Sequence, residues 1–135
     1  MNLKKKKKGF TLIELMAVIA IIAILAAVLV PTVSGYIERS KKTAVITQIR
    51  NVVSAVETYN ATTYGDKTIA DNETVASLLD SADDVLRKQD LLGPNDADRL
   101  GSSLTVGVAK KINADPDAIS KITLNNGVYA STTIE

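Results

Sequence analysis

The sequence predicts an α+β fold: one long N-terminal helix, apolar in its first half and amphipathic in its second, packed on a small antiparallel sheet. Three observations predict it. An apolar run begins at Phe10, directly after five lysines (Lys4 to Lys8) and Gly9, and lasts until Pro31. Val45, Ile49, Val52, Val53, Val56 and Tyr59 then recur at the spacing of one helix face. Near the C-terminus, two β-rich runs flank Asn125-Asn126-Gly127, a hairpin signal.

The apolar run is helical because its aliphatic residues leave the backbone to satisfy its own hydrogen bonds. At about 1.5 Å per residue, 21 residues span roughly 30 Å, one hydrocarbon thickness. Pro31 removes an intrahelical hydrogen bond and Gly35 is a second weak point, so a kink or local melting is expected near residues 27–35. The helical pattern resumes beyond Gly35 with Arg39, Lys42, Gln48 and Glu57 mainly off the apolar face. The whole helix is expected from about Thr11 to about Thr63, near 80 Å long at that rise.

A basic start and an apolar run also describe a secretory signal peptide. Its apolar stretch is shorter, about 7–15 residues, and its small cleavage residue follows that stretch. Here Gly9 precedes it, so cleavage after Gly9 would remove the lysines and keep the helix. An ordinary membrane anchor, with the lysines held inside, accounts for the hydropathy but not for Glu14. A carboxylate at a bilayer centre costs about 2.5–3.5 kcal/mol on insertion scales, so Glu14 needs a partner that offsets that cost.

Residues 60–74 are rich in Asn, Thr, Asp and Gly and are expected to be a loop. Asn60-Ala61-Thr62 and Asn72-Glu73-Thr74 match the glycosylation acceptor pattern, a short match that chance supplies. Asn72 is the expected N-cap of a helix or helix pair carrying Val75, Leu78, Leu79, Val85 and Leu86 and ending by Gly93-Pro94. Leu104–Ala109 alternates and is expected to be a strand. Ile122–Leu124 and Val128–Ile134 form the hairpin, which gives three strands in all.

Composition narrows the chemistry. The chain has 135 residues and a formal charge of +1. Loss of residues 1–9 would remove five lysines and leave 11 basic and 15 acidic residues, a net charge of −4. That balance argues against nucleic acid as the main partner of the bulk subunit. Nucleic acid remains a possible partner only through patches such as Arg39-Lys41-Lys42 and Lys110-Lys111, which are first of all solvated faces. With no cysteine or histidine, thiolate and imidazole catalysis and the usual zinc sites are excluded. No nucleophile–base constellation is visible, so an enzyme is not expected, and no cofactor is implied. Aspartates gather at Asp80, Asp83, Asp84, Asp90, Asp96, Asp98, Asp115 and Asp117. Asp96 with Asp98, and Asp115 with Asp117, are weak calcium candidates. Neither stretch supplies the six to eight oxygens calcium needs, and helix capping is the simpler account.

Gly9-Phe10-Thr11-Leu12-Ile13-Glu14-Leu15, after a basic leader and before about 20 apolar residues, resembles the class III signal of type IV pilins and pseudopilins. The resemblance covers roughly residues 4–60. It implies cleavage between Gly9 and Phe10 by a prepilin peptidase and N-methylation of Phe10. It implies that Glu14 neutralises the terminal amine of a neighbouring subunit, with Phe10 and Thr11 at the same assembly contact, and that Pro31 bends the helix. Two charges that are costly alone in lipid relieve each other when paired. Many related pilins close a C-terminal loop with a disulfide, which this chain cannot do.

The resemblance implies four segments: a removed leader (1–9), a transmembrane and filament-core helix (10–31), an amphipathic continuation (32–63) and the rest of a pilin-like α+β head (64–135). The implied function is a structural subunit of a type IV pilus filament, serving adhesion, twitching motility, biofilm formation or DNA uptake. The implied partners are other copies of the chain, the prepilin peptidase, an assembly ATPase, a platform protein and the membrane before assembly. The implied location is the cytoplasmic membrane, then a surface filament. One alternative is a major pseudopilin of a type II secretion or competence system. Another, of a different class, is a monomeric membrane-anchored binding module with an uncleaved N-terminus.

Overall fold

The computed structural model describes residues 7–80 and 84–135. Most of the expected leader, residues 1–6, and Asp83 lie outside the described residues. The chain divides into two compact units, Met1–Ile37 and Glu38–Glu135. Helix α1 is Leu12–Thr62, 51 residues. It stays helical through Pro31 and Gly35. The hydroxyls of Thr32 and Ser34 donate to the carbonyls of Val28 and Val30, at 3.2 and 3.0 Å, a common accompaniment of helix bending.

In the first unit every described side chain is exposed. In the second, the apolar face of α1 expected from its spacing is buried: Val45, Ile49, Val52, Val53, Val56 and Tyr59, with Ala55 between them. Against this face the chain packs Leu86, Leu100, Leu104, Val106, Ile112 and Ile122, all under 2% exposed. Of these, Leu86 lies in α3 (Val85–Lys88) and Val106 and Ile112 in α4 (Val106–Ala114); two further short helices are α2 (Val75–Asp80) and α5 (Ala118–Lys121). The segment between α1 and α2 includes one 3₁₀ turn, Gly65–Lys67.

Strands β1 (Ile122–Asn125) and β2 (Val128–Thr132) pair antiparallel. Asn125 faces Val128 across a two-residue loop, Asn126-Gly127. Both loop residues have positive φ, 51° and 81°, as a type I′ turn requires, and Asn-Gly is the pair that tolerates it best. A register shift between Thr123 and Leu124 marks a bulge, so that Leu124 faces Tyr129, which is buried.

Two expectations are corrected. Leu104–Ala109 is not a strand. Thr105 makes an isolated antiparallel bridge with Thr74, and a helix starts at Val106. The buried residues Val106, Ala109 and Ile112 recur every three residues, a helical spacing that the local Val-Gly-Val alternation conceals. The sheet among the described residues is therefore two-stranded. Nor is Asn72 the cap of α2. The Thr74 hydroxyl accepts from the Ser77 N–H at 3.2 Å, because Thr74 is the residue held extended by the bridge. Thr105 caps α4 in the same way, accepting from Val108 N–H at 3.3 Å. The bridge thus joins two helix caps. Backbone bonds from Val75 to Leu104, Val106 to Glu73 and Gly107 to Asp71, at 2.8, 2.9 and 2.8 Å, complete the junction.

Candidate functional site

The N-terminal end of α1 brings Gly9, Phe10, Thr11 and Glu14 together. The Thr11 carbonyl accepts the first helical bond, from Leu15 N–H at 3.2 Å. Its hydroxyl accepts from Glu14 N–H at 3.2 Å, and the Glu14 carboxylate (Oε2) accepts from Thr11 N–H at 2.9 Å. This is a reciprocal capping box with Thr11 as N-cap and Glu14 at the third helical position. Two donors that the helix start would leave unpaired are satisfied, and the negative charge sits where the helix dipole is positive. Within the monomer, then, Glu14 finds a partner on its own helix.

That bond uses one of the two carboxylate oxygens. An ionised carboxylate accepts at both, so capping and a second donor are compatible. Phe10 immediately precedes the cap and is 92% exposed. At Gly9 an added Cβ would meet nothing within 4 Å, so packing does not require glycine there. Gly35 is equally open. Beyond the cap, α1 is long and apolar enough to cross a membrane, and none of its most apolar window is buried.

The aspartate pairs are not brought together as ligands. Asp96 accepts from Gly93 N–H at 2.7 Å. Asp98 accepts from the Gln48 side-chain amide. Asp115 accepts from Asp117 N–H at 2.8 Å and from Lys121 Nζ at 2.5 Å. Asp117 accepts from the Ser120 hydroxyl at 2.9 Å. Among the described residues no three acidic side chains gather where a cation could be held. The Lys121 ammonium, with help from Asp117 N–H, holds the Asp115 carboxyl below its usual range, and Asp115 in turn raises Lys121.

Two residues of α1 have roles that the helical pattern does not reveal. The Gln48 amide donates to Asn95 O at 3.0 Å and accepts from Arg99 N–H at 2.9 Å, fixing residues 95–99 against α1. Asn60 both accepts from and donates to the backbone of Ile69, at 2.8 and 2.9 Å. The Asn60 amide is therefore committed inside the protein. The partners of Gln48 are distant in sequence and that of Asn60 is loop backbone, so only the off-face position of Gln48 could have signalled either.

The comparisons bear on the same N-terminal segment. Residues 4–30 match the family model described as the prokaryotic N-terminal methylation motif. The chain is similar to the type IV major fimbrial protein FimA of Dichelobacter nodosus, 48% identical over 56 residues, which are 42% of this chain and 36% of FimA. It is similar to fimbrial protein EcpC of Eikenella corrodens, 46% identical over 72 residues, 52% of this chain and 44% of EcpC. It is also similar to fimbrial protein Q of Moraxella bovis, 51% identical over 51 residues, 38% of this chain and 32% of that protein. The chain thus covers less than half the length of each of these relatives. No solved structure matches it. The matched stretch contains the Thr11–Glu14 capping box and the exposed apolar helix, and it is over this N-terminal segment that the chain is similar to fimbrial proteins.

Proposed function

We propose that the chain is a structural subunit of a type IV pilus, made as a membrane-anchored prepilin and polymerised through its N-terminal helix. The observation that carries this reading is the run of exposed apolar side chains from Leu12 to Ile37, joined to a methylation motif at residues 4–30. Such a surface is unfavourable in water at about 25 cal/mol per Å². A bilayer covers it before assembly and neighbouring helices cover it afterwards. Because both surroundings are apolar, transfer between them gains little, and packing, charge pairing and an assembly machine supply the rest.

In this reading a prepilin peptidase cleaves between Gly9 and Phe10 and N-methylates Phe10. Glycine at position 9, which the fold does not need, answers to the peptidase. The new amine stands one residue before the capping box. The Glu14 carboxylate, held by Thr11 of its own chain, receives the amine of a neighbouring subunit on its remaining acceptor capacity. Pro31 and Gly35 are the places where α1 bends or melts during assembly. An assembly ATPase and a platform protein extract the subunit, and the filament serves adhesion, twitching motility, biofilm formation or DNA uptake at the cell surface. The family is structural rather than enzymatic.

The test is intact-mass and N-terminal peptide mass spectrometry on protein from its native host, with electron microscopy of sheared surface material. A chain beginning at N-methylated Phe10 within filaments is the expected result. A chain beginning at Met1, with no filaments, would replace this reading with a monomeric anchored module.

A further inference from the structure

The helix that crosses the membrane in this reading meets its first basic residues just where the apolar run ends. Residues 10–37 contain one charged side chain, Glu14. Arg39, Lys41 and Lys42 follow on the same helix. At 1.5 Å per residue they lie roughly 3–8 Å beyond Ile37, inside the screening length of about 8 Å at physiological salt. Arg39 and Lys41 are exposed and Lys42 is half-buried. None of the three has a carboxylate partner among the described residues. The Lys41 side chain passes beside the β1–β2 turn, its Cδ 3.8 Å from where a Gly127 Cβ would stand.

Charge is also divided along the chain. Residues 38–50 hold four basic residues and one acidic residue, whereas residues 51–135 hold seven basic and thirteen acidic. A negatively charged surface repels the second stretch and attracts the first.

We propose that Arg39, Lys41 and Lys42 form a basic collar that docks on the anionic phospholipid headgroups of the leaflet where the apolar helix emerges. The inference rests on the reading of residues 10–31 as a membrane span. Each basic side chain close to an anionic leaflet is worth about fivefold in local affinity. The collar therefore retains the unassembled subunit in anionic membrane and must be released when the subunit leaves for the filament. Lipid composition becomes a control on extraction, independent of the Glu14 contact.

The absence of native cysteine makes the test direct. Ser40→Cys, at an exposed position within the collar, gives a single labelling site on the full chain. The labelled protein is reconstituted into phosphatidylcholine vesicles with or without phosphatidylglycerol, each carrying a trace of headgroup-attached quencher on one lipid or the other. Flotation reports insertion, and quenching reports headgroup contact. The expected result is flotation with both lipids, quenching at least about fivefold stronger by the anionic lipid, and loss of that preference in high salt or in the R39Q/K41Q/K42Q variant. Flotation without an anionic preference would overturn the collar and leave the span intact. Failure to float with either lipid would overturn the span and the collar together. Concentration-dependent self-quenching in place of a lipid preference would assign the collar to a second copy of the chain and overturn the lipid proposal.

Discussion

Glu14 has one observed role and one proposed role, and substitution can separate them. Its carboxylate caps α1 through Thr11 N–H, and in assembly it is proposed to receive a neighbour's amine. Glu14→Gln keeps an acceptor for the cap but loses the charge. The variant is expected to retain the helicity of the parent by circular dichroism in micelles while filament yield falls sharply; parental filament yield would show that the charge is dispensable. Thr11→Val removes the hydroxyl acceptor and is expected to cost the helix end about 0.5–2 kcal/mol, seen as faster amide exchange over residues 12–15. In the second unit the Asp115–Lys121 pair sets pH limits in both directions. The Asp115 pKa is lowered by folding, so its contribution is present above the ordinary value of 3.8 and is lost as pH falls from there through the lowered value. The Lys121 pKa is raised by the same bond, and the Tyr129 pKa by burial. Their contributions are complete below the ordinary values of 10.5 and 10.0 and are lost as pH rises through the raised ones. Lys121→Ala should therefore flatten the acid side of a urea-midpoint profile and weaken the alkaline side; an unchanged profile would show that the pair contributes nothing measurable.

At the scale of elements, α1 was legible because its two halves state their environments in opposite ways. The first half is apolar on all sides, and the second buries one face marked at Val45, Ile49, Val52, Val53 and Val56. Ile49→Ala is expected to cost about 2–5 kcal/mol, read as a lower urea midpoint of tyrosine fluorescence. The hairpin was equally legible, since Asn126-Gly127 specifies its turn chemically. What the sequence concealed was set by partners far along the chain. The start of α4 looks like a strand in isolation and becomes a helix because Thr105 is held extended by Thr74. The Gln48 and Asn60 clamps give no local sign, because most of their partners are loop backbone. Gly101 belongs with them. Its φ is +65°, and a Cβ there would lie 2.9 Å from the Tyr129 carbonyl oxygen. Gly101→Ala should destabilise the second unit by about 1–3 kcal/mol, with the largest exchange increases around β2; a neutral result would mean that the 99–101 loop relaxes freely.

For the whole molecule, one chain carries two units with opposed surface demands. Residues 10–37 expose apolar side chains that water disfavours, and residues 38–135 enclose a core built on the same helix. Glu14 stands out in the sequence because a lone acid in an apolar run is conspicuous, while Asp96, Asp115 and Asp117 carried no comparable signal and make local ties. The position of the hairpin also sets an order of events during synthesis. Ile122 and Tyr129, both core residues, come from the last 14 residues of the chain. The core around α1 cannot close until residues 122–129 have been made, well after the apolar segment of the same helix. On the reading proposed above, the apolar segment is available to a bilayer while the residues that fold around its continuation are still an open chain.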